Sequence, residues 1–320
     1  MESIQQMSFS SVVKKELCEQ ISPARHCRLA EISAIILFCG KIVVDKDQTL
    51  IIKLQTESTI LTKKIFLLLK EVFRISAELT TRSISAKKNL YELVLTADEA
   101  ALVLAACKLT ATEEEKNGRA LVVEQTIVTK SCCRRSFIRG AFLAAGSVSD
   151  PNNSYHFEIV VNQKINGELL CEAMRSFDID AKMIERKYHY VVYVKEGAQI
   201  VDLLNIMEAH VALMEFENVR ILKDMRNTIN RKVNCEAANI NKTVKAATRQ
   251  VEDILYIQEK VGLATLAEGL EEIALLRIEY PEASLKELGE MLNPPVGKSG
   301  VNHRLKKLCE MADGLRTRFD

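Results

Sequence analysis

The stretch RRSFIRGAFLAAGSVSDP, residues 134–151, decides how this chain is read. It predicts a short helix of small and apolar residues, closed at Gly146 and followed by a turn at Asp150 and Pro151. Ser136, Gly140 and Ala144 recur every four residues, so they share one helix face. A face with so little bulk lets a second helix backbone come close. A matching segment lies earlier in the chain. ISAIILFCG, residues 32–40, aligns with IRGAFLAAG, residues 138–146, placing Ala34 on Gly140 and Gly40 on Gly146. Ala30, Ala34 and Phe38 repeat the spacing of four.

The elements after each copy repeat too, the signature of a duplication. In the first half the patterns predict a helix over 8–20 capped by Ser10 or Ser11, and a second over 28–39 closed by Gly40. Strands KIVVD and LIIKLQT come next, joined by the turn residues KDQ. Then come a helix over STILTKKIFLLLKEVF, strands SAELTTRS and LYELVLT, and a helix from Asp98 through Lys108. In the second half the helix SFIRGAFLAAG leads to the strand YHFEIVVN and the helix KINGELLCEAMRSF. Strands AKMIERK and YHYVVYVK and the helix GAQIVDLLNIMEAH complete it. Each half is read as helix, two strands, helix, two strands, helix, although only one strand is marked after the first helix of the second half, and the small-residue helices pair across a pseudo-twofold axis.

Composition narrows the function classes. Of 320 residues, 48% are hydrophobic and 27% charged, which is ordinary globular usage. No apolar run is long enough for a membrane span, and the N-terminus has no secretory apolar core. A cytoplasmic protein is expected. Its nine cysteines form no framework, Cys132 and Cys133 are adjacent, and no CxxC pair is present. Free thiols in a reducing compartment are expected, with neither zinc nor another cofactor. His156, His189 and His210 show no ligand spacing. The formal net charge is only +1, but the charge is unevenly spread. Residues 223–249 carry Lys223, Arg226, Arg231, Lys232, Lys242, Lys245 and Arg249 against Asp224 and Glu236. Residues 298–307 carry Lys298, Arg304, Lys306 and Lys307 with no acid.

The C-terminal 70 or so residues contain no strand pattern. RQVEDILYIQEKV and LAEGLEEIALLRIEY read as helices, the second stopped by Pro281. Ser284 with Glu287 forms a capping box for LKELGEML. NPPVGK breaks that helix, and Ser299 is placed to cap the next, GVNHRLKKLCEMA. Two helices around a short Pro/Gly turn suggest a helix-turn-helix, whose second helix enters the major groove. Ser299, Gly300, Asn302 and His303 are then the base-facing residues, with Val301, Leu305 and Leu308 turned inward. Asn302 suits adenine. Arg304 suits guanine or phosphate, and Lys298, Lys306 and Lys307 suit phosphate. In the basic segment Arg226, Arg231, Lys232, Lys242 and Lys245 are candidate phosphate contacts. A solvated linker helix explains that segment equally well.

The paired copies resemble the nine-residue motif of LAGLIDADG homing endonucleases. That resemblance implies an acid at the eighth position of each copy, holding a divalent metal against the scissile phosphate. Here those positions are Cys39 and Ala145. Alanine has no ligand atom and cysteine is too soft for Mg²⁺. Asp45 and Asp150 lie nearby, and both read as turn residues. No nuclease activity is expected, and no catalytic residue or metal is assigned. Together with NTINRKVNCEAANINKTVKAATRQVEDI and SLKELGEMLNPPVGKSGVNHRLKKL, the whole chain is similar to the WhiA family. The similarity implies regulation of sporulation, cell division or chromosome segregation.

The expected fold class is therefore α+β: a duplicated LAGLIDADG-like domain with antiparallel sheets, followed by an all-α helix-turn-helix domain. Expected boundaries are 1–222 (repeats at about 20–110 and 128–222), a basic linker at 223–249 and the helix-turn-helix domain at 250–320. The expected function is sequence-specific binding of double-stranded DNA by a nucleoid-associated transcriptional regulator. The LAGLIDADG-like domain is open to protein partners. Lys53, Arg82, Lys182 and Arg186 are candidates to line its sheet saddle, with Glu158 and Glu185 diluting the charge. A protein-interaction scaffold acting largely without DNA is the main alternative, and a residual metal-dependent nuclease the weaker one.

Overall fold

A computed structural model describes residues 7–44, 49–85, 88–114 and 118–319. The chain falls into two compact units, Met1–Lys223 and Asp224–Asp320. In the first unit, α1 (Phe9–Glu19) precedes the duplication. Its cap is Ser8, whose Oγ accepts from Ser11 N at 3.3 Å, rather than the expected Ser10 or Ser11.

The first half runs α2 (Arg25–Cys39), β1 (Gly40–Val44), β2 (Leu50–Thr56), α3 (Thr59–Phe73), β3 (Glu78–Ser85), β4 (Lys88–Leu95) and α4 (Ala97–Ala106). The second runs α5 (Ser131–Ala145), β7 (Gly146–Val148), β8 (Phe157–Val161), α6 (Lys164–Arg175), β9 (Lys182–Arg186), β10 (His189–Val194) and α7 (Gly197–Met207). The sheets are antiparallel, in order β1-β2-β4-β3 and β7-β8-β10-β9, so the duplication holds strand for strand. Between the halves lies a hairpin absent from the expectation, β5 (Leu109–Glu114) paired with β6 (Gly118–Val123). The dipeptide Asn117-Gly118, ahead of the apolar run Ala120–Val123, was its signal.

Each sheet buries one face. On β2, Ile52 and Leu54 are buried, and on β8, Phe157, Ile159 and Val161. The side chains alternating with them lie on the opposite face. α2 and α5 pack against each other at the centre of the core. Phe38 meets Phe137 edge-on, with ring centroids 6.3 Å apart. Gly140 makes the close approach possible. A Cβ there would sit 3.0 Å from Ala34 Cβ and closer still to the Glu31 carbonyl oxygen, which is backbone and cannot swing away. Gly140→Ala is therefore expected to lower stability by about 1–3 kcal/mol through overpacking, outweighing the roughly 1 kcal/mol that alanine gains in helix propensity. Urea unfolding monitored by circular dichroism would check this, and a stabilised variant would refute the close packing.

α8 (His210–Lys260) begins in the first unit and ends in the second. At its start, the Glu16 carboxylate accepts from Val211 N at 2.8 Å and Ala212 N at 3.0 Å. The second unit contains the end of α8 with α9 (Glu268–Glu279), α10 (Leu285–Met291) and α11 (Lys298–Phe319). They enclose a separate core of Ile254, Ile257, Leu270, Ile273, Leu288, Leu292, Val301, Leu305 and Leu308.

Candidate functional site

α2 ends at Cys39 and α5 at Ala145, and each is closed in the same way. Gly40 N donates to Ile36 O and Gly146 N to Phe142 O. These two ends correspond to the acid positions of the LAGLIDADG motif. Ala145 offers no ligand. Desolvation pushes the Cys39 thiol up to about 12, with the Lys14 ammonium opposing. A neutral thiol beside a lysine cannot serve as a hard anionic oxygen ligand. The residues therefore do not fit the divalent cation of the endonucleases. Asp150 holds a turn, accepting from Asn152 N at 2.8 Å and Nδ2 at 3.0 Å. Asp45 and the turn residues Lys46, Asp47 and Gln48 lie outside the described residues.

The open sheet faces carry mixed charge. Register places Lys53 and Arg82 on the face that also holds Glu78 and Glu92. Lys53 Nζ lies 3.7 Å from Glu92. On the second sheet Lys182 and Arg186 share a face with Glu158, whereas Glu185 falls on the other side. Lys182 Nζ lies 3.8 Å from Asp180. Neither face is a strong phosphate track.

The segment expected as a basic linker is helical throughout, as part of α8. Arg226, Arg231, Lys232, Lys242 and Lys245 are all exposed. So are Met225, Ile229, Val233, Ile240 and Val244.

In the second unit the capping box forms as expected. Ser284 N donates to Glu287 Oε2 at 2.7 Å, and Ser284 Oγ accepts from Glu287 N at 3.3 Å. Gly289 lets the turn fold back, because a Cβ there would run into the Val296 carbonyl oxygen, and Val296 N donates to the Gly289 carbonyl at 2.9 Å. α11 starts at Lys298, one residue before the expected cap. Ser299 sits inside the first turn, and Gly297 O accepts the first helical hydrogen bonds, from Gly300 and Val301. Val301, Leu305, Leu308 and Ala312 fill the buried side. Lys298, Ser299, Asn302, His303, Lys306 and Lys307 are exposed. At 100° per residue they spread over about half the helix circumference. Arg304 departs from its expected role. It is half-buried and donates to Gly269 O at 3.2 Å, holding α11 against α9. Gly300 is likewise half-buried, against Val296.

One grouping was missed by sequence spacing. His26, Cys27, Cys132 and Cys133 bring one ligand atom each to within 4.8 Å of the others. The sequence sets zinc aside for want of a CxxC pair and does not anticipate this cluster. A search for CxxC could not find a set contributed as two adjacent pairs 106 positions apart.

The first unit is thus a duplicated LAGLIDADG-like fold without its acid pair, and the second carries a helix-turn-helix. Family models for the WhiA N-terminal LAGLIDADG-like domain, the WhiA LAGLIDADG-like domain and the WhiA C-terminal HTH domain match residues 25–110, 134–226 and 229–312. The chain is 56% identical to a relative from Lachnoclostridium phytofermentans, named probable cell division protein WhiA, over 97% of this chain and 100% of that one. A relative of the same name from Alkaliphilus oremlandii is 49% identical over 97% and 98%. The crystal structure of full-length DUF199/WhiA from Thermatoga maritima is 25% identical, covering 96% of this chain and 98% of that one with a TM-score of 0.58. The chain belongs to the WhiA family. Among the described residues no helix is long and apolar enough to cross a membrane.

Proposed function

We propose that this protein binds double-stranded DNA in a sequence-specific way through α11 and acts in cell division as a non-enzymatic regulator of transcription. The observation that carries this reading is the exposed arc of α11. Asn302, Ser299 and His303 stand where a recognition helix presents its N-terminal residues to base edges, and Lys298, Lys306 and Lys307 flank them. The capped α10 and the apolar back of α11 fix that arc on the bundle. The names of the relatives supply the cell-division context. Of the domain boundaries, we place the helix-turn-helix at 250–320, with the basic part of α8 contributing Arg226, Arg231, Lys232, Lys242 and Lys245 to nonspecific phosphate contact. The paired charges on its sheet faces suit the first unit to protein partners better than to phosphates.

The test compares genomic fragments with random duplexes at several salt concentrations. Wild type should select particular fragments. Asn302→Ala should lose about 1–3 kcal/mol on the selected site and little on random DNA, since one bidentate base contact is removed. Equal binding of both proteins to all fragments would remove α11 as the reader.

A further inference from the structure

We infer that His26, Cys27, Cys132 and Cys133 form a structural zinc site that clasps the two halves of the duplicated domain. The four residues occupy equivalent positions in the repeat. The 106-residue offset that places Ile32 on Ile138 also places His26 on Cys132 and Cys27 on Cys133. Each pair falls in the first turn of its small-residue helix, α2 or α5. The site therefore straddles the pseudo-twofold axis at the opposite end of the helix pair from Cys39 and Ala145.

The four candidate ligand atoms lie close enough to share one ion, all within 4.8 Å of one another. His26 Nδ1 lies 3.3 Å from Cys133 Sγ, 3.3 Å from Cys27 Sγ and 4.0 Å from Cys132 Sγ. A tetrahedral zinc with Zn–S near 2.3 Å and Zn–N near 2.0–2.1 Å sets its ligand atoms about 3.5–3.8 Å apart. Cys133 Sγ also donates to the His26 carbonyl oxygen at 3.8 Å, but the other contacts crowd a single ring nitrogen. A neutral imidazole nitrogen has one lone pair to offer, yet three sulfurs converge on it. A cation at the centre satisfies all four donors together. Three thiolates and one imidazole form a soft set with no open position, which suits structural zinc rather than magnesium or calcium.

The helix ends offset part of the cost of placing thiolates at this point. Both helices start without a side-chain cap, Ala24 and Lys130 being the N-cap residues. Their free N–H groups and positive dipole ends stabilise negative charge in the first turn. Zinc takes its sulfur ligands as thiolates, so forming three Zn–S bonds and one Zn–N bond releases the proton of each thiol to solvent.

The experiment uses the full-length protein, isolated under reducing conditions. Metal analysis should find one zinc per chain. After chelator treatment, Co²⁺ should give the absorption bands of tetrahedral thiolate coordination, and Zn²⁺ should bleach them and raise the melting temperature. His26→Ala removes an exposed ligand and should weaken metal binding by about a hundredfold or more, beyond the usual effect of an outer-sphere change. His26→Cys should keep binding, with a Co²⁺ spectrum shifted towards an all-sulfur site. Cys27→Ser/Cys133→Ser should abolish the bands, whereas Cys18→Ser, altering a buried cysteine outside the cluster, should leave them intact. Three results would overturn the site: no zinc and no Co²⁺ bands in reduced wild type, unchanged binding in the double variant, or a metal-free disulfide among Cys27, Cys132 and Cys133.

Discussion

Glu31→Gln is expected to cost the first unit about 3–5 kcal/mol, because it strips the shared anion from two buried cations. Glu31 lies on α2 and is fully buried. Its carboxylate meets Lys64 Nζ of α3 at 2.5 Å. It also takes two parallel hydrogen bonds from Arg139 of α5, Nε to Oε1 and Nη2 to Oε2, each 3.1 Å. Arg139 Nη1 reaches on to Glu208, just past α7, at 2.6 Å. Lys64 is further held by the carbonyls of Leu17 at 2.7 Å and Gln20 at 2.8 Å, at the end of α1. Burial lowers the Lys64 pKa, with Glu31 opposing. At Arg139 burial also acts against the charge, but Glu31 and Glu208 outweigh it and the pKa is raised. Once Glu31 is neutral, Lys64 loses its carboxylate and Arg139 keeps only Glu208. Hydrogen exchange of peptides covering α2 and α5 should show protection falling by roughly two to nearly four powers of ten. A loss under about 1 kcal/mol would mean that the ions are far better solvated than their burial indicates. The triple change Glu31→Leu, Lys64→Met and Arg139→Leu should recover most of the loss, since well-packed apolar residues often replace buried ions at no cost. The network then serves to select one pairing of the two halves, and Gly140, next to Arg139, sets how near they come.

Much of the fold is legible in the sequence because it rests on local patterns. Residues every four positions on 30–38 and 136–144 announce the helix pair, and the capping box at Ser284 announces α10. The hairpin β5-β6 escapes because β5 carries short alternating residues, Leu-Thr-Ala-Thr, with little apolar content to mark it. Arg304 looks like a DNA contact because charge alone does not say which way a side chain turns. Its direction depends on the Gly269 carbonyl, 35 residues away, being within reach. The ion network and the cysteine–histidine cluster share one cause of invisibility. Both join residues more than 100 positions apart, and only the pairing of α2 with α5 makes them neighbours.

Affinity for DNA is expected to rest on three lysines. Lys298, Lys306 and Lys307 are exposed and fall within the same half of the α11 circumference, Lys298 and Lys307 at its two edges. Lys306 has a nearby acid, Glu310 at 3.6 Å, but both side chains are well exposed. Such a surface pair is weak and yields readily to a phosphate. Each lysine–phosphate contact releases close to one counterion, contributing about 0.9 to the slope of log K against log salt. Replacing all three lysines with alanine should therefore reduce that slope by about 2.7 and weaken binding at ~0.15 M salt on the order of a hundredfold. Because phosphates carry no sequence information, the loss should be the same on selected and random duplexes. That separates this variant from Asn302→Ala, which should change the preference and leave the slope alone. A triple variant with an unchanged slope would place the phosphate contacts elsewhere. Arg226, Arg231, Lys232, Lys242 and Lys245 would then be the next to alter, and an unchanged slope there as well would leave the second unit without a role in binding DNA.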